Sequence, residues 1–141
     1  MLFVGEYRHT LDAKNRIFIP AKLREDLGEH FYITRQMNEA CLGVYTRDEI
    51  DSISEKISKL PDSKVSKLRK FFFSQMLDAY PDSNGRIGLP PALIEHAHID
   101  KTAVIVGVGN HVEIWSEELW AKESESEDME EIRGLLATIG L

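Results

Sequence analysis

Residues 6–11 alternate loosely between polar and apolar positions, and a second short run, Arg16-Ile17-Phe18-Ile19, follows after a polar break. The two read as strands of a hairpin, with Asp12-Ala13-Lys14-Asn15 supplying the turn chemistry between them. Apolar stretches at 31–34 and 41–45 predict two more strands, and 103–106 with 112–115 predict another pair. Elsewhere the period lengthens. Ile50, Ile53, Ile57 and Leu60 recur at helical spacing behind Thr46-Arg47-Asp48-Glu49, a capping-box sequence with Thr46 as N-cap, and Pro61 ends the run. A second helix is predicted over about 63–78, with Val65, Leu68, Phe72 and Met76 on one face. Short helices are predicted at Ala21–Leu27, stopped by Gly28, and at Pro91–Ala97, since proline suits the first helical position. Ser116 caps a further helix with Glu117 and Glu118 on its dipole. Met129, Ile132, Leu135, Leu136 and Ile139 have the spacing of a last amphipathic helix.

This pattern occurs twice, seventy residues apart. Asp12-Ala13-Lys14-Asn15-Arg16-Ile17-Phe18-Ile19-Pro20 is answered by Asp82-Ser83-Asn84-Gly85-Arg86-Ile87-Gly88-Leu89-Pro90. Without a gap Leu23 matches Leu93, Glu25 matches Glu95, and Leu42-Gly43-Val44-Tyr45-Thr46 runs beside Val112-Glu113-Ile114-Trp115-Ser116. Two occurrences make a duplicated module and not a solenoid. The chain divides into a first repeat (1–50), a helical linker (51–75), a second repeat (76–120) and an acidic C-terminal tail (121–141) with a possible helix. One module of this size buries too little apolar surface to stand alone. The duplication therefore predicts an intramolecular pseudo-dimer, its strands shared in one closed β structure without exposed edges.

Composition bounds the function. Hydrophobic residues at 43% and charged residues at 29% fit a soluble globular protein. The start has no basic stretch and meets Glu6 at once, which argues against a signal peptide. No apolar run approaches membrane-spanning length, and the one thiol, Cys41, reads as a small core residue; a cytoplasmic protein is expected. The net charge of −7 is uneven: residues 81–141 carry 4 basic and 12 acidic side chains, residues 51–80 carry 6 and 4. A polyanion would have to be met by a local basic surface, before residue 81.

Lys14, Asn15 and Arg16 sit at or beside the first turn, and Arg8 on the strand leading into it. A projecting two-stranded ribbon fits the DNA major groove, where arginine grips a guanine edge and asparagine an adenine edge. Arg86 repeats Arg16, but Asn84 and Gly85 replace Lys14 and Asn15, so the first turn is the stronger reader. The plainer reading makes Asp12–Arg16 and Asp82–Arg86 structural pairs, and the two roles coexist if one end of the arginine is held while the other faces nucleic acid. Lys64, Lys67 and Lys70 share a helix face, as a phosphate track or as an ordinary solvated surface. His96 and His98 point apart on a short helix, and no metal site is expected. No catalytic triad, phosphate loop or HExxH motif occurs, so an enzyme is not expected, nor a cofactor.

Residues 5–16, the second Asp82-Ser83-Asn84-Gly85-Arg86-Ile87-Gly88-Leu89-Pro90-Pro91 and Val112-Glu113-Ile114-Trp115 together resemble the MraZ family, over about residues 1–120. A more distant likeness is to AbrB and MazE, which use one swapped-hairpin unit per chain. The resemblance implies an α+β fold, a double-split β-barrel of two tandem AbrB-like repeats with flanking helices. It implies a bacterial, nucleoid-associated DNA-binding regulator of the division and cell-wall gene cluster, acting on its own promoter. Such proteins assemble as homo-oligomeric rings whose Asp-x-x-x-Arg hairpins contact tandem promoter repeats in double-stranded DNA. Here the motif residues are Asp12 and Arg16, then Asp82 and Arg86: the arginines as contacts, assisted by Lys14, Asn15 and Arg8, the aspartates holding the turns. The family commonly has glycine before the first arginine; this chain has Asn15, which tolerates left-handed backbone. The rival reading is an antitoxin-like protein-interaction module whose acidic C-terminus occupies a basic partner.

Overall fold

A computed structural model describes residues 2–125 and 128–141. The first copy lays down β1 (Glu6–Thr10), β2 (Arg16–Phe18), α1 (Ala21–Leu27), β3 (Phe31–Arg35) and β4 (Leu42–Tyr45). A helical pair follows, α2 (Arg47–Ser58) and α3 (Asp62–Ser74). The second copy gives β5 (Leu77–Ala79), β6 (Arg86–Gly88), α4 (Pro91–Ala97), β7 (Thr102–Gly107) and β8 (Val112–Ser116), then α5 (Glu117–Glu125) and α6 (Met129–Thr138). Both short helices have their predicted bounds. Thr46 caps α2 by accepting from the Glu49 backbone N–H at 3.2 Å. The predicted C-terminal helix forms; Ser126 and Glu127 of its acidic lead-in lie outside the described residues.

Two expectations about single elements are corrected. The helix predicted over 63–78 ends at Ser74, and Leu77–Ala79 becomes β5, paired antiparallel with β3. Its residues are the seventy-residue counterparts of Tyr7, Arg8 and His9 in β1, and extending the helix would leave the β3 backbone edge unpaired. The predicted hairpins are also not ladders. β1 pairs with β7 and β2 with β6, so the first two strands of each copy are taken up by the other copy. A strand of three residues such as β2 has too little surface for a stable hairpin of its own. Exchange pairs Ile17 with Ile87 over the shared core, so that both short strands bury their apolar side chains in one cluster.

The result is a six-stranded antiparallel sheet in the order β1-β7-β8-β4-β3-β5 and a separate two-stranded ribbon, β2-β6. Exchanging each strand for its counterpart reverses the order of the sheet. The pseudo-two-fold axis therefore passes between β8 and β4, where Gly43 faces Glu113, and through the ribbon, where Ile17 faces Ile87. The ladders leave this sheet open, with β1 and β5 as its outer strands, contrary to the closed structure expected. The repeat also slips once. His9 faces Ala103 while its counterpart Ala79 faces Phe31, so β7 sits two residues further along the chain than the seventy-residue offset places it.

One large apolar cluster fills the space between sheet, ribbon and short helices, joining Ile17, Ile87, Leu23, Leu93, Phe31 and Ile105. Alternation along β7 sends Val104 and Val106 to the other face, where they meet Cys41, Trp115 and, from α5, Leu119 and Trp120. On the same outer face Tyr45 packs with Ile50 and Ile57 of α2 and Val65 and Phe72 of α3. The ribbon is thus held from beneath by the whole core, which leaves its other face to solvent.

Candidate nucleic-acid interface

Because Ile17 and Ile87 are buried, strand alternation turns positions 16, 18, 86 and 88 to the outer face of the ribbon. Arg16 lies across from Gly88 there, and Arg86 across from Phe18. Arginines of both copies share one surface. A Cβ on Gly88 would stand 3.8 Å from Arg16 Cγ, so the Arg16 stem runs close over the bare glycine.

Each turn is built around its aspartate. Asp12 Oδ1 accepts from the backbone N–H groups of Lys14 and Arg16, both at 2.9 Å. Asp82 Oδ1 accepts from Asn84 and Arg86 in the same way, at 2.9 Å each. These are aspartate turns, in which a side chain stands in for a backbone acceptor. Backbone bonds close them further: Asp12 N–H donates to Arg16 O at 3.0 Å, and Asp82 N–H to Arg86 O at 2.9 Å. Both turns need a residue in the left-handed region, supplied by Asn15 at φ 57° and Gly85 at φ 78°. Asn15 therefore adopts the backbone that glycine commonly gives the family. Each turn is also locked to the other copy, since Leu89 N–H donates to Asn15 O and Ile19 N–H to Gly85 O, at 2.9 Å in both cases.

The two arginines differ. Arg16 Nε donates to Asp12 Oδ2 at 2.7 Å, and its Nη1 lies 3.6 Å from Asp82 Oδ2. The guanidinium of Arg16 is held by aspartates of both turns, yet its side chain keeps 38% of its surface exposed. Among the described residues the Arg86 guanidinium makes no hydrogen bond or ion pair. Hydrogen bonding from the Arg16 backbone N–H, opposed by some desolvation and aided by the Arg16 side chain, holds the Asp12 carboxyl below its ordinary value. The Arg86 backbone N–H does the same for Asp82. Both carboxylates are charged at neutral pH and offset part of the positive charge beside them.

Lys14 and Asn15 are exposed at the tip of the first turn, with Asn84 at the second. Arg8 does not join this group. Its Nη1 bonds Glu6 at 2.9 Å and its Nε lies 3.8 Å from Glu117 at the start of α5. Lys64, Lys67 and Lys70 are exposed on α3, in the helical pair that packs on the outer face of the sheet. His96 Nε2 sits 3.0 Å from Gln36 O while His98 caps α4, so the two histidines diverge.

Sequence reasoning missed Arg24. From α1 its Nε donates to Ile19 O at 2.8 Å and its guanidinium lies over the Phe18 ring, 5.4 Å from the centroid. It also underlies the second turn: a Cβ on Gly85 would stand 2.8 Å from Arg24 Cζ. Copy two has Ile94 at the matching position, packed against the core. That mismatch between otherwise similar helices was the available signal. A cleft of about 660 Å³ opens beside Arg24, walled also by Glu25, Glu29, Tyr80 and Asp82. At the counterpart location Leu11 and Ile94 pack against the core instead.

Comparison with known proteins matches the family described as "MraZ protein, putative antitoxin-like" at two consecutive stretches, residues 2–71 and 72–133. The transcriptional regulator MraZ of Alkaliphilus oremlandii is 41% identical over 99% of this chain and 100% of its own length. The protein of the same name from Carboxydothermus hydrogenoformans is 47% identical over 84% of each chain. That from Ligilactobacillus salivarius is 46% identical, also over 84% of each. With both copies of the duplicated unit matched and relatives aligned along nearly the whole length, the chain belongs to the MraZ family.

Proposed function

We propose that this chain is a transcriptional regulator that binds double-stranded DNA in a sequence-specific manner through the outer face of the β2–β6 ribbon and its two turns. The observation that carries the reading is the convergence of Arg16, Arg86 and the Lys14-Asn15 tip on one solvent-facing surface braced by the core. The relatives' common name, transcriptional regulator, supports it. Arg16 is the main contact: Asp12 takes its Nε and orients the plane, while the exposed remainder of the guanidinium faces a base edge or phosphate. Lys14 and Asn15 assist at the tip, Arg86 at the paired position, and Asp12 and Asp82 hold the turns. Arg8 assists only from β1, with its guanidinium paired to Glu6 and Glu117.

The wider reading follows the family resemblance. The exchanged strands form the two halves of a double-split β-barrel, and several chains form a homo-oligomeric ring. The ring presents its turns to tandem repeats in the promoter of the division and cell-wall gene cluster, on the nucleoid. Each surface offers few base contacts, and effective concentration within a ring turns several weak contacts into firm binding. Among the described residues no helix is long and apolar enough to cross a membrane.

The test is a mobility-shift titration on DNA upstream of the chain's own coding sequence, over a salt series. Affinity should fall steeply as salt rises, because arginine and lysine release counterions from phosphates. A flat response, or equal affinity for unrelated DNA, would sink the proposal. After deletion of residues 121–141 the remaining chain should still prefer this DNA over unrelated DNA, even where the avidity of an assembly is lost; loss of that preference would favour the rival interaction module.

A further inference from the structure

The helical pair that follows each copy has the same plan and two different outcomes. Thr46 caps α2, and Ser116 caps α5 by accepting from Leu119 N–H at 3.0 Å. In the first pair Ile50, Ile53 and Ile57 of α2 give α3 an apolar surface, against which Val65 and Phe72 are buried. In the second, Trp120 answers Ile50, but Glu123 is the counterpart of Ile53. Leu119 and Trp120 of α5 are spent on the sheet, and among the described residues α5 gives α6 no stripe like that of α2.

The apolar face of α6 is nevertheless intact. Met129, Ile132, Leu135, Leu136 and Ile139 lie within one stripe, and α6 buries none of its residues. Ile139 is 71% exposed and Leu135 62%. Asp128 caps the helix through the N–H groups of Glu130 and Glu131, both at 3.1 Å, so the element is a formed helix with an acidic head. A formed, amphipathic helix that is packed on no surface among the described residues fits a groove on another molecule.

Charge selects that molecule. Residues 117–133 carry eight acidic and two basic side chains, whereas residues 56–70 carry one acidic and six basic. On α3 the spacing of Lys64, Lys67 and Phe71 puts a half-buried aromatic ring on the lysine face, and Leu60 stands 44% exposed at the head of that helix. Phe71 is held there from below, its carbonyl accepting from Arg35 Nη2 at 2.8 Å and its ring lying 4.0 Å from the Arg35 guanidinium carbon.

We propose that α6 docks on a second copy of this chain, its apolar stripe against Leu60 and Phe71 of the neighbour's α2–α3 pair and Glu131, which flanks the stripe, beside Lys64 and Lys67. This rests on the homo-oligomer part of the reading above and names a surface for it. Lys64 and Lys67 are then an assembly contact and not a phosphate track.

The experiment uses the full chain. Leu60→Cys is made in an isotopically labelled copy and Leu136→Cys in an unlabelled one; the two are co-refolded without DNA, mildly oxidised and read by mass spectrometry. Cys41 is fully buried and does not compete. The expected product is a disulfide-linked dimer of one labelled and one unlabelled chain, joined between positions 60 and 136. Glu131→Lys should cut its yield at least threefold, and adding Lys64→Glu with Lys67→Glu should restore it. No mixed-chain bond, or charge reversal without rescue, overturns the proposal. So does α6 binding to a basic foreign protein or to neutral lipid vesicles in place of the second copy. Particle mass by light scattering separates the two layers: an unlinked but assembled ring discards this surface alone, while a monomer discards the homo-oligomer reading as well. Arg16→Ala should leave the cross-link unchanged.

Discussion

The two aspartate turns share a backbone and differ in what surrounds them. In the first, the arginine is tied down and the tip is rich in donors: Arg16 is clamped between Asp12 and Asp82, with Lys14 and Asn15 beside it. In the second, the arginine is loose and the tip is plain, with Asn84 and Gly85, while Arg24 presses from below. Duplication kept the scaffold and let the two tips diverge. A held side chain has already lost much of the rotamer freedom that binding would remove, a cost of roughly 0.5–1.5 kcal/mol for a long side chain. Identical motifs thus need not be equal readers.

The largest expected effect tests this inequality. Arg16→Ala should reduce affinity for the operator by about 1–3 kcal/mol for each engaged chain, because it removes an oriented guanidinium. Arg86→Ala should cost less, since its free guanidinium must be ordered on binding. Titrations of both variants on the same DNA, with particle mass unchanged, give the comparison. If Arg86→Ala is the more damaging, the clamp on Arg16 marks a structural residue and the second turn is the reader.

The next effect concerns the tips. Gly85→Asn would give the second turn the residue of the first, at a φ that asparagine accepts. Its Cβ, however, would meet Arg24 Cζ at 2.8 Å and Nη2 at 2.9 Å. The guanidinium ends a flexible side chain and can swing aside, but only by giving up its Nε bond to Ile19 O and its place over Phe18. A destabilisation of about 1–3 kcal/mol is expected from this overpacking. Combining it with Arg24→Ile, the residue of the other copy, should recover part of the loss. Urea midpoints for the two single variants and the double form the cycle, and strict additivity would mean that Arg24 does not dictate glycine at 85.

How far the sequence reached is seen at particular residues. The turns were legible because Asp12 and Asp82 act on backbone groups two and four residues on, a local effect that local sequence encodes. The exchange of strands was not. Ile17 is buried between two less buried neighbours whether β2 pairs with β1 or with β6, so alternation carries no record of the partner. The end of α3 was misread because Met76 continues the helical stripe, although Leu77 falls on the counterpart of Tyr7. Arg24 acts across the copies, on a turn sixty residues away, and only its mismatch with Ile94 hinted at it. The clamp of Arg16 by Asp82 has the same character: a contact made by the pseudo-dimer and by neither repeat alone.

A smaller difference should separate the aspartates. Asp12→Ala removes three hydrogen bonds, including the one to Arg16 Nε, whereas Asp82→Ala removes two backbone bonds and a longer ion pair. The excess cost of Asp12→Ala should be about 0.5–1.5 kcal/mol, one further hydrogen bond, measured by denaturant unfolding. Equal costs would mean that the clamp contributes nothing to stability.

The smallest effect is the pH dependence of the turns. Both carboxyls titrate below their ordinary 3.8 in the folded chain, chiefly through backbone N–H groups of Arg16 and Arg86. A lowered folded value means that the charged form is favoured by folding, so the turns' contribution is complete above the unfolded value and fades as pH falls through the folded one. Carboxyl chemical shifts followed by NMR should therefore stay flat from neutral pH to about 5 and move only in more acid solution. In Arg16→Ala the backbone donors remain, so both values should rise without reaching 3.8, Asp12 by more because it also loses the Nε bond. A rise confined to Asp12 would show that Arg16 does not reach across to Asp82, and the two turns would then be electrostatically separate.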